Sequence, residues 1–148
     1  MTTECKAAEV ELQYMPTFKT VDIVRTSLQA YCYLLPTFDE KTIQYKESFK
    51  VLLLNKANQV LGWTTLADGA IDCVNVDVRI IMQVALLTCA TQIIVAHNHP
   101  SGNLRPSVED KRITQKIAKA CEIMNIRLVD HLIMTDSSYY SFNDEGGI

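Results

Sequence analysis

"QIIVAHNHPSGNLRPSVEDKRIT", residues 92–114, decides how the chain is read. It opens on an apolar run of strand-forming residues, crosses a polar loop rich in Pro and Gly, and ends where Ser107 can start a helix. A buried strand that runs out into a helix is where open α/β sheets present ligands. His97 and His99 stand two apart as the chain leaves the strand, so their imidazoles point to one side and can converge on one ion. Asp110 falls in the first turn of the helix, where its carboxylate can supply a third ligand. Two imidazoles and a carboxylate leave the fourth corner of a tetrahedron to water, the open arrangement of catalytic rather than structural zinc. Zinc lowers the pKa of such a water from about 15.7 to about 7. A hydrolase then needs one more carboxylate, not bound to the metal, to take the water's proton.

Each residue also has a plainer reading. Ser107 and Asp110 are close to a capping box, in which the serine oxygen accepts a helix-end N–H and the acid reaches back. "HNHPSG" alone reads equally as a polar turn whose histidines bond to backbone. His131, within "LVDHLIM", reads as a satisfied strand histidine rather than a ligand, with Asp130 beside it open to an outer, supporting role. Capping and metal binding are compatible, and the four residues His97, His99, Ser107 and Asp110 together are more specific than any two of them.

Working outward, the chain alternates helices and strands. "TVDIVRTSLQAYCYLL" sets Val21, Val24, Leu28, Tyr31 and Leu35 at helical spacing, with Thr20 as its cap and Pro36 ending it. "ESFKVLLLN" and "QVLGWTTL" read as an antiparallel hairpin about the polar turn Lys56-Ala57-Asn58, and consecutive Leu52, Leu53 and Leu54 imply burial on both faces. Val78, Ile81, Met82, Ala85, Leu86 and Cys89 mark one face of a helix over 77–90, leading into the strand "QIIVA". Ile113, Ile117, Ala120, Cys121 and Met124 do the same for a helix over 107–124, followed by strands at "IRLVDHLIM" and "YYSF". The order is that of an α/β layered domain. We expect a polar segment over 1–16, loosely held, and a single domain over 17–148.

At 148 residues and 48% hydrophobic composition, the chain can bury one substantial core. Its formal net charge of −3 exerts no overall pull on phosphate backbones, although Lys111, Arg112 and Lys116 could form a local basic patch. The 5 cysteines, Cys5, Cys32, Cys73, Cys89 and Cys121, are odd in number and widely spaced, which suits buried free thiols in a reducing compartment. With no signal-peptide pattern at the start and no apolar run of bilayer length, the expected setting is cytoplasmic, with no membrane partner.

H-x-H, seven residues, Ser, two residues and Asp is the pattern of the JAMM (MPN+) metalloprotease motif, which His97, His99, Ser107 and Asp110 match without a gap. With "IIVAHNHPSGNLRPSVEDKRIT", "RLVDHLIM" and "YYSF", the chain resembles the RadC family, traditionally called DNA repair proteins, from about Glu47 to its end. The resemblance implies a JAMM-type core: a curved mixed sheet flanked by helices, in a three-layer arrangement like that of cytidine deaminases. It implies one zinc ion on His97, His99 and Asp110 with water as fourth ligand, Ser107 steadying the tetrahedral intermediate, and Glu47 as general base. Composition alone does not prefer Glu47 over Glu40 or Glu109. Two departures stand out. The family's helix-hairpin-helix region, associated with DNA contact, has no room before the first strand, and Asp77 and Val78 stand where the family tends to have His-Pro, with Arg79 kept.

Three functions follow from these residues. The first is a zinc-dependent hydrolase of peptide or isopeptide bonds acting on a peptide or protein substrate. The second is a non-catalytic accessory module of DNA repair or recombination, a DNA association the charge does not support. The third is a nuclease, suggested only by the letters His-Asn-His; nucleases of that name draw the three residues from separate points of a ββα unit. A nucleobase deaminase needs H-x-E and a later P-C-x-x-C, which the sequence lacks. Substrate, oligomeric state and the identity of the metal in the cell are not legible.

Overall fold

Leu52, Leu53 and Leu54 are all buried, at 0%, 2% and 0% exposure, so the strand carrying them is covered on both faces, as expected. The computed structural model, which describes residues 7–15, 22–70 and 75–148, shows what covers it. Strands β1 (Glu47–Leu54), β2 (Val60–Ala70), β3 (Gln92–Asn98), β4 (Arg127–Met134) and β5 (Tyr139–Ser141) form one sheet in the order β2-β1-β3-β4-β5. Only β3 and β4 pair in parallel; the other neighbours are antiparallel. The helices are α1 (Ser27–Leu34), α2 (Val78–Leu87) and α3 (Val108–Ile123).

Strand alternation sorts the core into two layers. Phe49, Val51 and Leu53 of β1 join Ile93 and Val95 of β3 under α2 and α3. Leu52 and Leu54, with Ile94, Ala96, Leu132 and Met134, face α1. The result is a mixed five-stranded sheet between helical layers, a JAB/MPN-like α/β fold. The parallel step from β3 to β4 needs a crossover, which α3 supplies, and this places the start of α3 beside the end of β3.

Most predicted elements are present within a residue or two. Asp77 caps α2, its carboxylate accepting the Arg79 N–H at 2.9 Å, and β3 runs on past "QIIVA" through His97 and Asn98. The first helix departs from expectation. It begins at Ser27, capped by Thr26, whose hydroxyl accepts the Gln29 N–H at 3.1 Å; Thr20 lies outside the described residues. Residues 22–24 are extended instead, because their backbone pairs with the β1–β2 turn: the Val60 N–H donates to Asp22 O and the Val24 N–H to Asn58 O, both at 2.9 Å. Tertiary pairing outweighs the helical spacing there. Removing the true cap with Thr26→Ala is expected to cost about 0.5–2 kcal/mol of stability, read as a lower urea midpoint at unchanged slope.

Residues 1–6 and 16 of the polar opening segment lie outside the described residues. Residues 7–15 hold no helix or strand, and the Tyr14 hydroxyl donates to Leu61 O at 2.8 Å. The cysteines correct an expectation. Among the described cysteines, Cys32 and Cys89 are exposed free thiols and Cys121 alone is buried, where desolvation pushes its thiol up to about 11. Cys32 sits on the outer side of α1, and Cys89 lies just past α2 in a left-handed turn at φ 54°. Cys5 and Cys73 fall outside the described residues. No helix among the described residues is long and apolar enough to cross a membrane.

Candidate metal centre

The local sequence folds the chain back on itself directly after the histidines. His99 to Gly102 makes a tight turn, with the Gly102 N–H donating to His99 O at 3.0 Å. Pro100 supplies the fixed φ of the turn's second position, and Gly102 adopts φ +79°, a conformation costly for a side chain with a Cβ. The chain then enters α3 through a complete capping box: Ser107 Oγ accepts the Asp110 N–H at 3.0 Å, and Asp110 Oδ2 accepts the Ser107 N–H at 2.7 Å.

The carboxylate that starts this helix also meets both histidines. His97 Nε2 lies 3.1 Å from Asp110 Oδ1, His99 Nε2 lies 3.3 Å from Asp110 Oδ2, and the two Nε2 atoms are 3.0 Å apart. The structure therefore gathers His97, His99 and Asp110 into a group whose ligand atoms all lie within 4.8 Å of one another. His99 donates through Nδ1–H to the Asn103 carbonyl at 2.7 Å, so its Nε2 carries a lone pair toward the other two groups. Lone pairs crowded against a carboxylate repel unless a cation or proton lies among them. The two imidazoles and one oxygen ligand match what zinc takes, and on that donor chemistry the three residues fit a divalent cation.

The surroundings set the charges. Burial would raise the Asp110 carboxyl, but the two facing imidazoles and the Ser107 N–H hold it well below the usual carboxylate range. Burial pulls His97 down more than Asp110 pulls it up. At His99 burial also acts downward, yet Asp110 and the Asn103 carbonyl outweigh it and leave the ring above its ordinary value.

Glu47 opens β1 and lines the same cavity of about 960 Å³ as His97, His99, Ser107 and Asp110. The pairing of β1 with β3 explains how. Phe49 stands opposite His97, its ring stacked on the imidazole at 5.8 Å, and Glu47 is two residues earlier on the same side of the strand. Glu47 is 8% exposed, whereas Ser107 is exposed at the rim. Of the other glutamates weighed from sequence, Glu109 also lines the cavity but is exposed and ion-paired with Arg112 at 2.7 Å, and Glu40 does not line it. Arg105, Arg112 and Lys116 border one side.

Sequence reasoning passed over two supporting residues, Asn98 and Thr114, and did not connect a third, His131, to the histidine pair. Asn98, between the histidines, points to the opposite face: its side-chain N–H groups donate to Ile43 O at 2.8 Å and Lys46 O at 2.9 Å, and its oxygen accepts the Ser48 N–H at 2.8 Å. Those contacts pin the backbone on either side of Glu47. His131 lies 2.8 Å from His97 through Nε2 and 2.6 Å from Thr114 Oγ1 through Nδ1, and is stacked on Phe142 at 4.9 Å. It is a satisfied strand histidine, as read, but its partner is a member of the candidate metal group. Asp130 instead turns to Ser141 and Asn143. The strand sequence signalled the burial of His131, but Thr114 carried no signal.

The family model of the RadC-like JAB domain matches residues 24–147. Similar curated proteins include the UPF0758 proteins of Flavobacterium johnsoniae, 43% identical over 123 residues, and of Aquifex aeolicus, 37% identical over 123 residues; each alignment covers 83% of this chain and 52% of the relative. The UPF0758 protein of Porphyromonas gingivalis is 44% identical over 102 residues, 68% of this chain and 45% of its own length. The chain thus spans about half the length of the curated relatives it matches.

Proposed function

The chain belongs to the RadC-like JAB domain family, and from that premise we propose that it is a zinc-dependent hydrolase of the JAMM type, cleaving peptide or isopeptide bonds. The observation that carries the reading is the convergence of two imidazole nitrogens and a carboxylate at 3.0–3.3 Å on one side of a cavity that Glu47 and Ser107 also line. His97, His99 and Asp110 would hold the ion. A divalent cation bound there supplies Lewis acidity, polarising a carbonyl and acidifying water toward neutrality.

The chain's own groups do the rest. Glu47 takes a proton from the attacking water and returns it to the leaving amine. Ser107 uses an oxygen lone pair for the helix cap, which keeps its hydroxyl proton available to donate to an oxyanion. Phe49, stacked on His97, shields that ligand from water. Arg105 and Lys116 add positive charge to the lining, where Arg112 is paired with Glu109.

Purified protein is expected to contain close to one zinc per chain and to cleave members of a peptide and isopeptide library. Chelation should abolish cleavage, and added zinc should restore it. Metal-loaded protein that cleaves nothing while binding DNA in a salt-dependent way would replace this reading with the accessory one.

A further inference from the structure

Among the described residues, His131 and Thr114 form a hydrogen-bonded path behind the metal group, joining His97 to the main chain of Asp110. The direction of each bond follows from its end. The Asp110 carbonyl can only accept, and it accepts the single hydroxyl proton of Thr114 at 2.6 Å. Thr114 Oγ1 can then only accept from His131, so His131 Nδ1 carries the proton at 2.6 Å. His131 is 0% exposed, and a second ring proton would leave an uncompensated charge in the core. Its Nε2 is therefore an acceptor, and the partner 2.8 Å away must be His97 Nδ1–H. Imidazole has two nitrogens, so this leaves the lone pair of His97 on Nε2, the atom facing His99 and Asp110.

We propose that His131 is a positioning residue: with Thr114 it locks His97 in the tautomer that presents its Nε2 lone pair to the metal group. The task matters because His97 is 1% exposed, so water has little access to settle the tautomer. An acceptor behind a ligating histidine commonly fixes its ring and tautomer; here it is another imidazole, on the neighbouring parallel strand. The same path ends on the main-chain carbonyl of Asp110, which ties the His97 ring to the first turn of α3.

The inference rests on the metal reading, but its primary test needs no metal. In ¹⁵N-histidine-labelled, metal-free protein, long-range proton–nitrogen correlations should show His97 and His131 both protonated at Nδ1. In His131→Leu, His97 should become a mixture of tautomers, with zinc affinity falling about 10–100-fold. His131→Gln, whose side-chain oxygen can take the His97 proton, should recover most of that affinity. Thr114→Val, close in shape and without the hydroxyl, should loosen the His131 tautomer and serves if the leucine variant does not fold. His97 protonated at Nε2 in the wild type, or a folded His131→Leu with unchanged tautomer and affinity, would overturn the proposal. Wild-type protein that takes up no zinc would instead overturn the metal reading alone.

Discussion

Purified Asp110→Asn protein is expected to keep its fold and lose its metal. The amide oxygen can still accept the Ser107 N–H, and Ser107 Oγ can still accept the N–H of residue 110, so the start of α3 survives the change. What disappears is the negative charge that faces His97 and His99 at 3.1 and 3.3 Å. Altering outer partners of a ligand costs about 10–100-fold in metal affinity, and removal of the ligand charge itself should exceed about 100-fold. The metal-free variant should melt somewhat below metal-free wild type at neutral pH, since the imidazoles and the Ser107 N–H that hold the Asp110 carboxyl low stabilise its charged form, and the amide forgoes that. Elemental analysis, competition with a coloured chelator and thermal melts of both metal-free proteins read these outcomes. Undiminished zinc content would remove Asp110 from the ligand group.

Glu47→Gln separates chemistry from binding. Glutamine has nearly the same shape, and Asn98 fixes the backbone on both sides of position 47 whatever its side chain, so zinc content should match wild type. Turnover of a cleaved peptide should fall about 10²–10⁴-fold, the usual contribution of a positioned general acid–base group. Glu109→Gln is the control: it lines the cavity but sits exposed in an ion pair with Arg112, and its turnover should stay close to wild type. Equal loss in both variants would show that negative charge at the rim, rather than proton transfer at Glu47, had been removed.

The two predictions draw on residues that differ in how readily sequence exposes them. His97, His99, Ser107 and Asp110 lie within one strand–turn–helix passage, where local geometry alone fixes which side chains meet. Glu47 is different: residue 49 pairs with residue 97 across the sheet, and single-sequence periodicity carries no register. Only the family resemblance chose it over Glu40 and Glu109. Thr114 and Asn98 were invisible for a related reason, since each acts through a bond to a distant backbone or ring rather than through a recognisable motif. The later two helices were legible because burial on one face imposes a period, and the central strands because burial on both faces leaves an unbroken apolar run. The first helix was overextended because Val21 and Val24 mimic that period while residues 22–24 in fact pair with the hairpin turn. The cysteines misled because an apolar neighbourhood in sequence does not say which side of a helix a thiol occupies.

Strands β1 and β3 are immediate neighbours, joined rung by rung from Phe49–His97 to Leu54–Gln92. The ladder holds the start of β1, with Glu47, beside the end of β3, with His97, while the approaches to them are built from the turn after His99 and the opening of α3. Recutting the turn would change which molecules arrive without moving Glu47 or His97, whereas the opening of α3 carries Ser107 and Asp110 themselves. On the proposed hydrolase reading, selectivity can therefore drift at the turn while the carboxylate and the first histidine stay in register.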